Sequence, residues 1–417
     1  MTAKGAIPET TRRTTCRVCG CGELTELYSL GELCVSDFVA PGEEGRRAPL
    51  ELVMCPRCSL VQLRHTAPQE LLYRRFYWYR SGVTDTMRAA LAELASSLQA
   101  WPGLKAGDVA LDIGSNDGTL LRGFRVPGLV TVGVEPASNL AEEGRKGLSR
   151  FIGEFWSFKP YWDAVGRKAK VITAIGMFYD MEDPNQFVRD AARALADDGV
   201  FVAQLMCLKN MIDSGDVGNI CHEHLEFYSL SALDHMFSRN GLEIVDIERN
   251  EVNGGSYRLF CRLKGSSLAP RPGAAERVRR FRAQEEALSR PEVHRQFFRR
   301  MEENKRRCVD FIKAERAKGK RVWVYGASTK GNTILQYFGL DSSLIEAASE
   351  RSPEKWGKET VGTRIPIVSE EEARRAKPDY FLVLPYAFFD EFYRREAEWR
   401  RGGGKFIVPL PEFRVVA

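Results

Sequence analysis

The sequence predicts an α/β protein in three parts: a small cysteine-held domain over residues 12–70, a Rossmann-like domain over 71–265, and a helical linker with a second Rossmann-like domain over 266–417. Three observations carry this. Residues 109–121 and 321–333 each run from a short apolar segment through a glycine turn into an apolar-periodic one, as a buried parallel strand feeds a helix. Two Cys-x2-Cys pairs precede the first of these corners. At 417 residues the chain also exceeds a single ordinary core.

Composition narrows the class. With 44% hydrophobic and 28% charged residues the chain reads as a soluble globular protein. No apolar run reaches the roughly 18 residues needed to span a bilayer, so no membrane partner is expected. The first residues lack an apolar signal region, and a cytoplasmic location is the expectation. A net charge of +5 is mild for this length. Basic residues gather between Arg271 and Arg321, but no aromatics are interleaved there for base stacking, so a solvated helical face is favoured over nucleic acid.

Six of the ten cysteines lie before residue 60. In a reducing compartment such a cluster indicates metal. Cys16 and Cys19, with Cys55 and Cys58, supply four thiolates with no open position, the donor set of a structural zinc site. Cys21 and Cys34 are spare thiols, and Cys21 competes with Cys19. Residues 66–101 read as mostly helical. Their aromatic cluster, Tyr73, Phe76, Tyr77, Trp78 and Tyr79, suits either a domain junction or a pocket wall.

From residue 108 to about 249, strands are expected near 109–113, 130–135, 170–175, 200–206 and 242–248 with helices between, which predicts a parallel sheet covered on both faces. Asp112 ends the first strand, where open α/β sheets bind ligands. Gly114, Asn116 and Gly118 form the turn, and the following helix is expected to offer its N–H groups. A dinucleotide site would show Gly-x-Gly-x-x-Gly under its pyrophosphate. Here the acids around the turn repel phosphates and suit a cationic or zwitterionic ligand, while Glu135 ends the second strand in position to grip a ribose diol. This pair resembles the first motif and second-strand acid of class I S-adenosylmethionine methyltransferases, which implies Asp112, Gly114, Asn116, Gly118 and Glu135 as cofactor-binding residues.

Residues 272–320 are charged and helix-periodic without glycine until Gly319, as in one long helix or a helical pair. The second corner follows, Glu350 ends or follows its next strand, and further strands are expected at 379–385 and 405–409. Ser328 stands where the middle glycine of a dinucleotide fingerprint belongs, which argues against NAD. Ser328, Lys330 and Asn332 at a helix start suit an anion such as a nucleotide diphosphate. Tyr386 is a fourth candidate for contact with substrate.

Two of only five histidines flank Glu223 in the stretch 218–230. A metalloprotease needs His-Glu-x-x-His, and the two-residue spacing of His222 and His224 excludes it. The remaining readings are histidines that cap or pack against a helix starting near Ser229, and an imidazole general base tuned by a neighbouring glutamate.

From about Cys16 to Pro411 the chain resembles the nucleotide-sugar C-methyltransferases. The resemblance rests on the zinc knuckles, Leu30-Gly31-Glu32, the 112–118 turn, His-Glu-His with Tyr228-Ser229-Leu230, residues 253–258, the 325–332 corner and residues 362–366. It implies a central class I methyltransferase domain between a zinc-binding domain and a Rossmann-like C-methyltransferase domain, with zinc and S-adenosylmethionine as cofactors. It further implies methylation beside the ketone of a nucleotide-linked 4-ketosugar, C3 favoured, with His224 as base, Glu223 orienting a ring or hydroxyl, and His222, Asp180 and Tyr228 as further catalytic candidates. Members acting on C3 commonly carry Tyr where this chain has Cys221, and a second His where it has Asp180. Two alternatives stay open: methylation of another oxygen, nitrogen or carbon acceptor, and a zinc-ribbon nucleic-acid modifier.

Overall fold

The computed structural model describes residues 10–68, 72, 78–250, 252 and 255–417. Its centre is a seven-stranded sheet ordered Leu242–Asn250, Ser256–Leu263, Leu195–Met206, Ala169–Ile175, Val109–Ile113, Val130–Val134 and Arg150–Ile152. Ser256–Leu263 runs antiparallel to both its neighbours, and the remaining strands pair in parallel. The order reverses between Val109–Ile113 and Ala169–Ile175, and that switch point places a ligand crevice at their carboxyl ends. Val109–Ile113 is buried along its whole length, as its largely apolar sequence requires of a central parallel strand.

Five strands were expected, and the sheet has two more. Arg150–Ile152 is a three-residue edge strand too short to give a period. Ser256–Leu263 belongs to a hairpin with Leu242–Asn250, whereas strand–helix alternation leads one to look for crossovers. A second correction concerns the segment after Gly118: a full helix was expected, and only the 3-10 turn Leu121–Gly123 forms. Gly123 and Pro127 leave too few residues between breakers for more. In 66–101 the described residues are mostly helical as expected, with a 3-10 turn Ser81–Val83 and the helix Asp85–Ala100 after a short strand His65–Thr66, and Tyr73, Phe76 and Tyr77 lie outside the described residues.

The linker is a helical pair, Ala274–Glu285 and Pro291–Ala317, with Pro291 starting the second where its missing N–H costs nothing. Phe297, Phe298, Met301, Cys308 and Ile312 form the buried stripe of the long helix. Phe298 stacks on Tyr28 of strand Thr25–Cys34 with centroids 4.4 Å apart. The C-terminal sheet follows, ordered Ile367–Ser369, Ala348–Glu350, Val322–Tyr325, Tyr380–Val383, Lys405–Val408 and Arg414–Val416, with only the last antiparallel.

Strand pairings cross the expected division at 70, 71, 265 and 266. Glu226–Phe227, from the His-Glu-His segment, is the fourth strand of the N-terminal sheet, pairing with Val61–Leu63. Phe38–Val39 pairs with Glu359–Thr360 of the C-terminal lobe. Beneath the first pairing lies Arg17, between two zinc-knuckle cysteines, with a side chain 0% exposed. It donates to the Leu63 carbonyl at 2.6 Å, to Thr66 Oγ1 at 2.6 Å and to Glu182 at 3.3 Å, and its Nε lies 3.7 Å from the equally buried Glu226. Removing one partner of a buried ion cluster strands the others without water. Arg17→Met is therefore expected to lose about 3–5 kcal/mol of unfolding free energy in a urea titration. A midpoint equal to wild type would show that the cluster holds nothing together.

Candidate functional site

The four knuckle thiols converge. Gly20 N–H donates to the Cys16 carbonyl and Ser59 N–H to the Cys55 carbonyl, each at 2.9 Å, so each pair closes a tight turn that aims both sulfurs inward. Sγ separations are 3.5 Å for Cys16 and Cys58 and 3.4 Å for Cys19 and Cys55, and all four sulfurs lie within 4.8 Å of one another. Sulfurs about 2.3 Å from one zinc ion stand about 3.8 Å apart in a tetrahedron, so the set fits that ion with no position left for substrate. The spare thiols are elsewhere, Cys21 against the Glu23 carbonyl and Cys34 against that of Gly45.

At the switch point, Asp112, Gly114, Ser115, Asn116 and Glu135 line one cavity with Tyr79, Met177, Tyr179, Asp180 and Gln204. Gly114 has φ +70°, and a Cβ there would stand 2.8 Å from Met177 Cγ. Gly118 has φ +78°, and a Cβ would meet the Gly144 carbonyl at 2.8 Å. Both glycines are required by the turn itself. Glu135 is held by backbone, accepting from Asn116 N–H at 3.0 Å and Ala137 N–H at 2.8 Å. Asp112 accepts from Thr173 Oγ1 at 2.6 Å, and burial, followed by the charges of Glu135 and Asp117, pushes its carboxyl up to about 7. Asn116 braces the loop above: its Oδ1 accepts from Ser81 N–H at 3.0 Å and its Nδ2 donates to the Tyr79 carbonyl at 3.1 Å. With the helix after Gly118 absent, no helix N-terminus faces the cavity there, and Asp112, Glu135 and residues 114–116 line it.

The His-Glu-His segment lies beside this cavity. His224 Nδ1 donates to the Asn219 carbonyl at 2.7 Å, which leaves Nε2 with the lone pair, and its ring packs edge-on against Tyr179 at 4.6 Å. Burial, then the Lys330 charge, lowers its pKa to about 3, so the ring is neutral. Glu223 and Asp180 are pushed upward, each chiefly by burial. His222 faces away, donating from Nε2 to the Ala48 carbonyl at 3.0 Å. Tyr228 is 1% exposed among Phe178 and the neighbouring aromatic core, and its buried hydroxyl has no hydrogen-bond partner among the described residues. Its position is that of packing.

The four C-terminal candidates diverge. Ser328 caps helix Thr329–Phe338 by accepting from Gly331 N–H at 3.0 Å. Asn332 donates to the Asp37 carbonyl at 2.7 Å. Tyr386 donates to Asp216 and accepts from Gly218 N–H at 2.9 Å, holding the loop before the histidines. Lys330 also reaches this segment one residue further on, donating to Asn219 Oδ1, whose backbone carbonyl holds His224. Sequence reasoning overlooked Asn219 and Tyr179. Asn219 follows a glycine just before the histidines, and Tyr179 adjoins Asp180, but neither residue type announces chemistry.

Comparison with known proteins decides the family. A zinc binding domain model matches residues 16–73, a methyltransferase domain model 79–247, and the model described as C-methyltransferase C-terminal domain 251–411. C-methyltransferase NovU of Streptomyces niveus is 30% identical over 414 residues, 96% of each chain. The chain belongs to the C-methyltransferases. With the methyltransferase and zinc binding domains both matched, this C-methyltransferase depends on S-adenosylmethionine and carries a four-cysteine zinc site. Among solved structures, an S-adenosylmethionine-dependent methyltransferase from Clostridium acetobutylicum superposes at TM-score 0.34 and 14% identity, over 43% of this chain and 93% of its own. CalS10, an amino pentose methyltransferase from Micromonospora echinaspora, does so at 0.33 and 16%, over 42% and 91%. No helix among the described residues is long and apolar enough to cross a membrane.

Both cofactor geometries are open to measurement. Cys55→Ser should lose zinc by elemental analysis and melt at lower temperature, because a structural ion contributes folding free energy directly. Zinc-free protein as stable as wild type would remove that role. For the methyl donor, a sulfonium or ammonium beside Asp112 favours its ionised form, so binding below pH 7 must expel a proton. Calorimetric affinity for S-adenosylmethionine should fall by up to about tenfold per pH unit below 7 in wild type, and Asp112→Asn should bind weakly at every pH without that slope.

Proposed function

We propose that this C-methyltransferase acts on a nucleotide-linked 4-ketosugar, removing a proton from a carbon beside the ketone, C3 favoured, so that the enolate carbon takes the methyl group. The observation that carries the reading is the tautomer of His224. Its Nδ1–H is committed to the Asn219 carbonyl, and the neutral Nε2 is left as acceptor beside Tyr179, which lines the cofactor cavity. A C–H beside a carbonyl is acidic enough for such a base because its electron pair moves onto oxygen.

In this reading Asp112 and Glu135 hold the methyl donor with the 114–118 turn, and the bound donor supplies an electrophilic methyl carbon. The residues do the rest. His224 takes the proton, and Glu223, its carboxyl pushed upward by burial, orients a sugar hydroxyl or the ring. Asp180 and Cys221 stand where the family resemblance leads one to expect an imidazole and a phenol, and their burial raises both. Either can donate to a sugar oxygen in its protonated form. With a pKa lowered to about 3, His224 is ready at any physiological pH. Its conversion to imidazolium is made feasible by the enolate formed at the same moment.

The test follows deuterium from solvent into a thymidine-diphosphate-linked 4-keto-6-deoxyhexose without methyl donor, and turnover with it. His224→Ala should lose about 10²–10⁴ in both rates while binding S-adenosylmethionine normally. His222→Ala should retain both rates within a fewfold. If His224→Ala exchanges and methylates near wild type while Glu223→Gln does not, the base is Glu223. The wild-type exchange rate should show no titration near the ordinary histidine pKa of about 6.5.

A further inference from the structure

The sequence places Lys330 with Ser328 and Asn332 as a diphosphate cradle at a helix start, and the structure fills that cradle with the protein's own atoms. Ser328 Oγ is committed to Gly331 N–H, and Asn332 donates to the Asp37 carbonyl. Ser36 Oγ donates to the Thr329 carbonyl at 2.9 Å, which lays residues 36–37 across the first turn of the helix. The Asp37 carboxylate stays there, accepting from Phe38 N–H at 2.7 Å and Trp78 Nε1 at 3.1 Å.

Lys330 escapes the cradle. Its ammonium leaves the C-terminal lobe and donates to Asn219 Oδ1, and the carbonyl of that same asparagine holds His224 Nδ1 at 2.7 Å. Asn219 is 5% exposed and fixed by a further bond from its Nδ2 to Asp216 Oδ2 at 3.4 Å. Among the described residues no carboxylate forms an ion pair with Lys330 within 4.0 Å, although Asp180 and Glu223 feel its charge, as do Cys221 and His224. A partly buried cation with no carboxylate in ion-pair contact among the described residues, one side chain from the proposed base, is placed to meet a negative charge that the reaction itself creates.

We infer that Lys330 is a catalytic residue that holds the enolate oxygen, so that the C-terminal lobe completes the reaction site rather than only gripping the nucleotide. The inference rests on the proposed ketosugar chemistry. The base takes the proton from the carbon, the C–H electron pair forms the carbon–carbon double bond, and the carbonyl π pair moves to oxygen as an anion beside the Lys330 ammonium. On methylation the oxygen returns its pair, the ketone re-forms, the enolate carbon bonds the methyl carbon, and the sulfur of the donor keeps the pair of the broken bond. The imidazolium then gives its proton to solvent. Before enolisation Lys330 opposes protonation of His224. Once the oxyanion lies between them, the anion offsets that charge and favours the imidazolium.

The experiment compares wild type with Lys330→Met, Lys330→Gln and Lys330→Arg in the zinc-loaded full-length protein. It reads deuterium exchange into the thymidine-diphosphate-linked 4-keto-6-deoxyhexose at saturation, and the calorimetric affinity for thymidine diphosphate. Zinc content and S-adenosylmethionine affinity report folding. The neutral variants should exchange about 10²–10³ slower with thymidine diphosphate affinity within threefold, and Lys330→Arg should recover at least tenfold of the loss. Neutral variants that exchange at the wild-type rate, or that lose tenfold in thymidine diphosphate affinity with exchange intact, overturn the assignment and return Lys330 to the diphosphate. Absence of exchange in wild type overturns the ketosugar reading instead, and this inference with it.

Discussion

The buried guanidinium of Arg17 is the constraint on which the arrangement of the site depends. A cation wholly removed from water must be surrounded by acceptors, and those available come from three separate stretches: the Leu63 carbonyl and Thr66 hydroxyl, Glu182 after strand Ala169–Ile175, and Glu226 beyond the histidines. Arg17 is itself placed by the knuckle cysteines on either side of it. Zinc therefore sets the position of a cation that in turn fixes Glu226, and Glu226–Phe227 enters the N-terminal sheet two residues after His224. The zinc domain is too small to hold a large core, and in this chain its rigidity is spent on the edge of the reaction site.

Burial produces an unusual charge pattern around that edge. Asp180, Glu223 and Glu226 are all raised, Asp180 chiefly by desolvation and then by the charges of the other two. Carboxyls in this condition are hydrogen-bond donors as readily as acceptors. A pocket of raised carboxyls and a neutral imidazole supplies no positive charge for an enolate. The cation that bonds into it, Lys330, comes from the opposite lobe, and it is joined to the imidazole through a single asparagine.

The fold was largely legible because its signals are chemical necessities. A wholly buried parallel strand must be apolar, a turn with φ +70° is glycine's, and four thiols at knuckle spacing must meet at a metal. What escaped was set by tertiary context. Glu226–Phe227 is a strand only because Val61–Leu63 lies beside it, and the segment after Gly118 failed to become a helix because Gly123 and Pro127 interrupt it. Within the candidate site, residue type singled out Asp112 and Glu135, which line the cavity, and His224 beside it, but not which nitrogen of His224 carries the proton. That is decided by the Asn219 carbonyl, and a carbonyl has no sequence signature. Tyr228, a motif residue, packs in the core for the same reason that Asn219 matters: position in the folded chain outweighs the chemistry of the side chain.

The C-terminal lobe shows how the contacts around a strand–turn–helix corner set the direction of its side chains. Its strand Val322–Tyr325, glycine turn and helix Thr329–Phe338 have the layout that would place a helix N-terminus under phosphate. A Cβ at Gly326 would strike Pro385 at 2.7 Å and one at Gly331 would strike Leu384 at 2.6 Å, so both glycines are needed for packing against the end of the neighbouring strand. The N-terminal domain packs on the same helix, with the Cys34 backbone exchanging hydrogen bonds with Gln336 at 2.6 and 3.0 Å. The first turn of that helix then has one long side chain left to project outward. Gln336, Asn332 and Ser328 are all committed to internal bonds, and Lys330 reaches across the lobe boundary to Asn219.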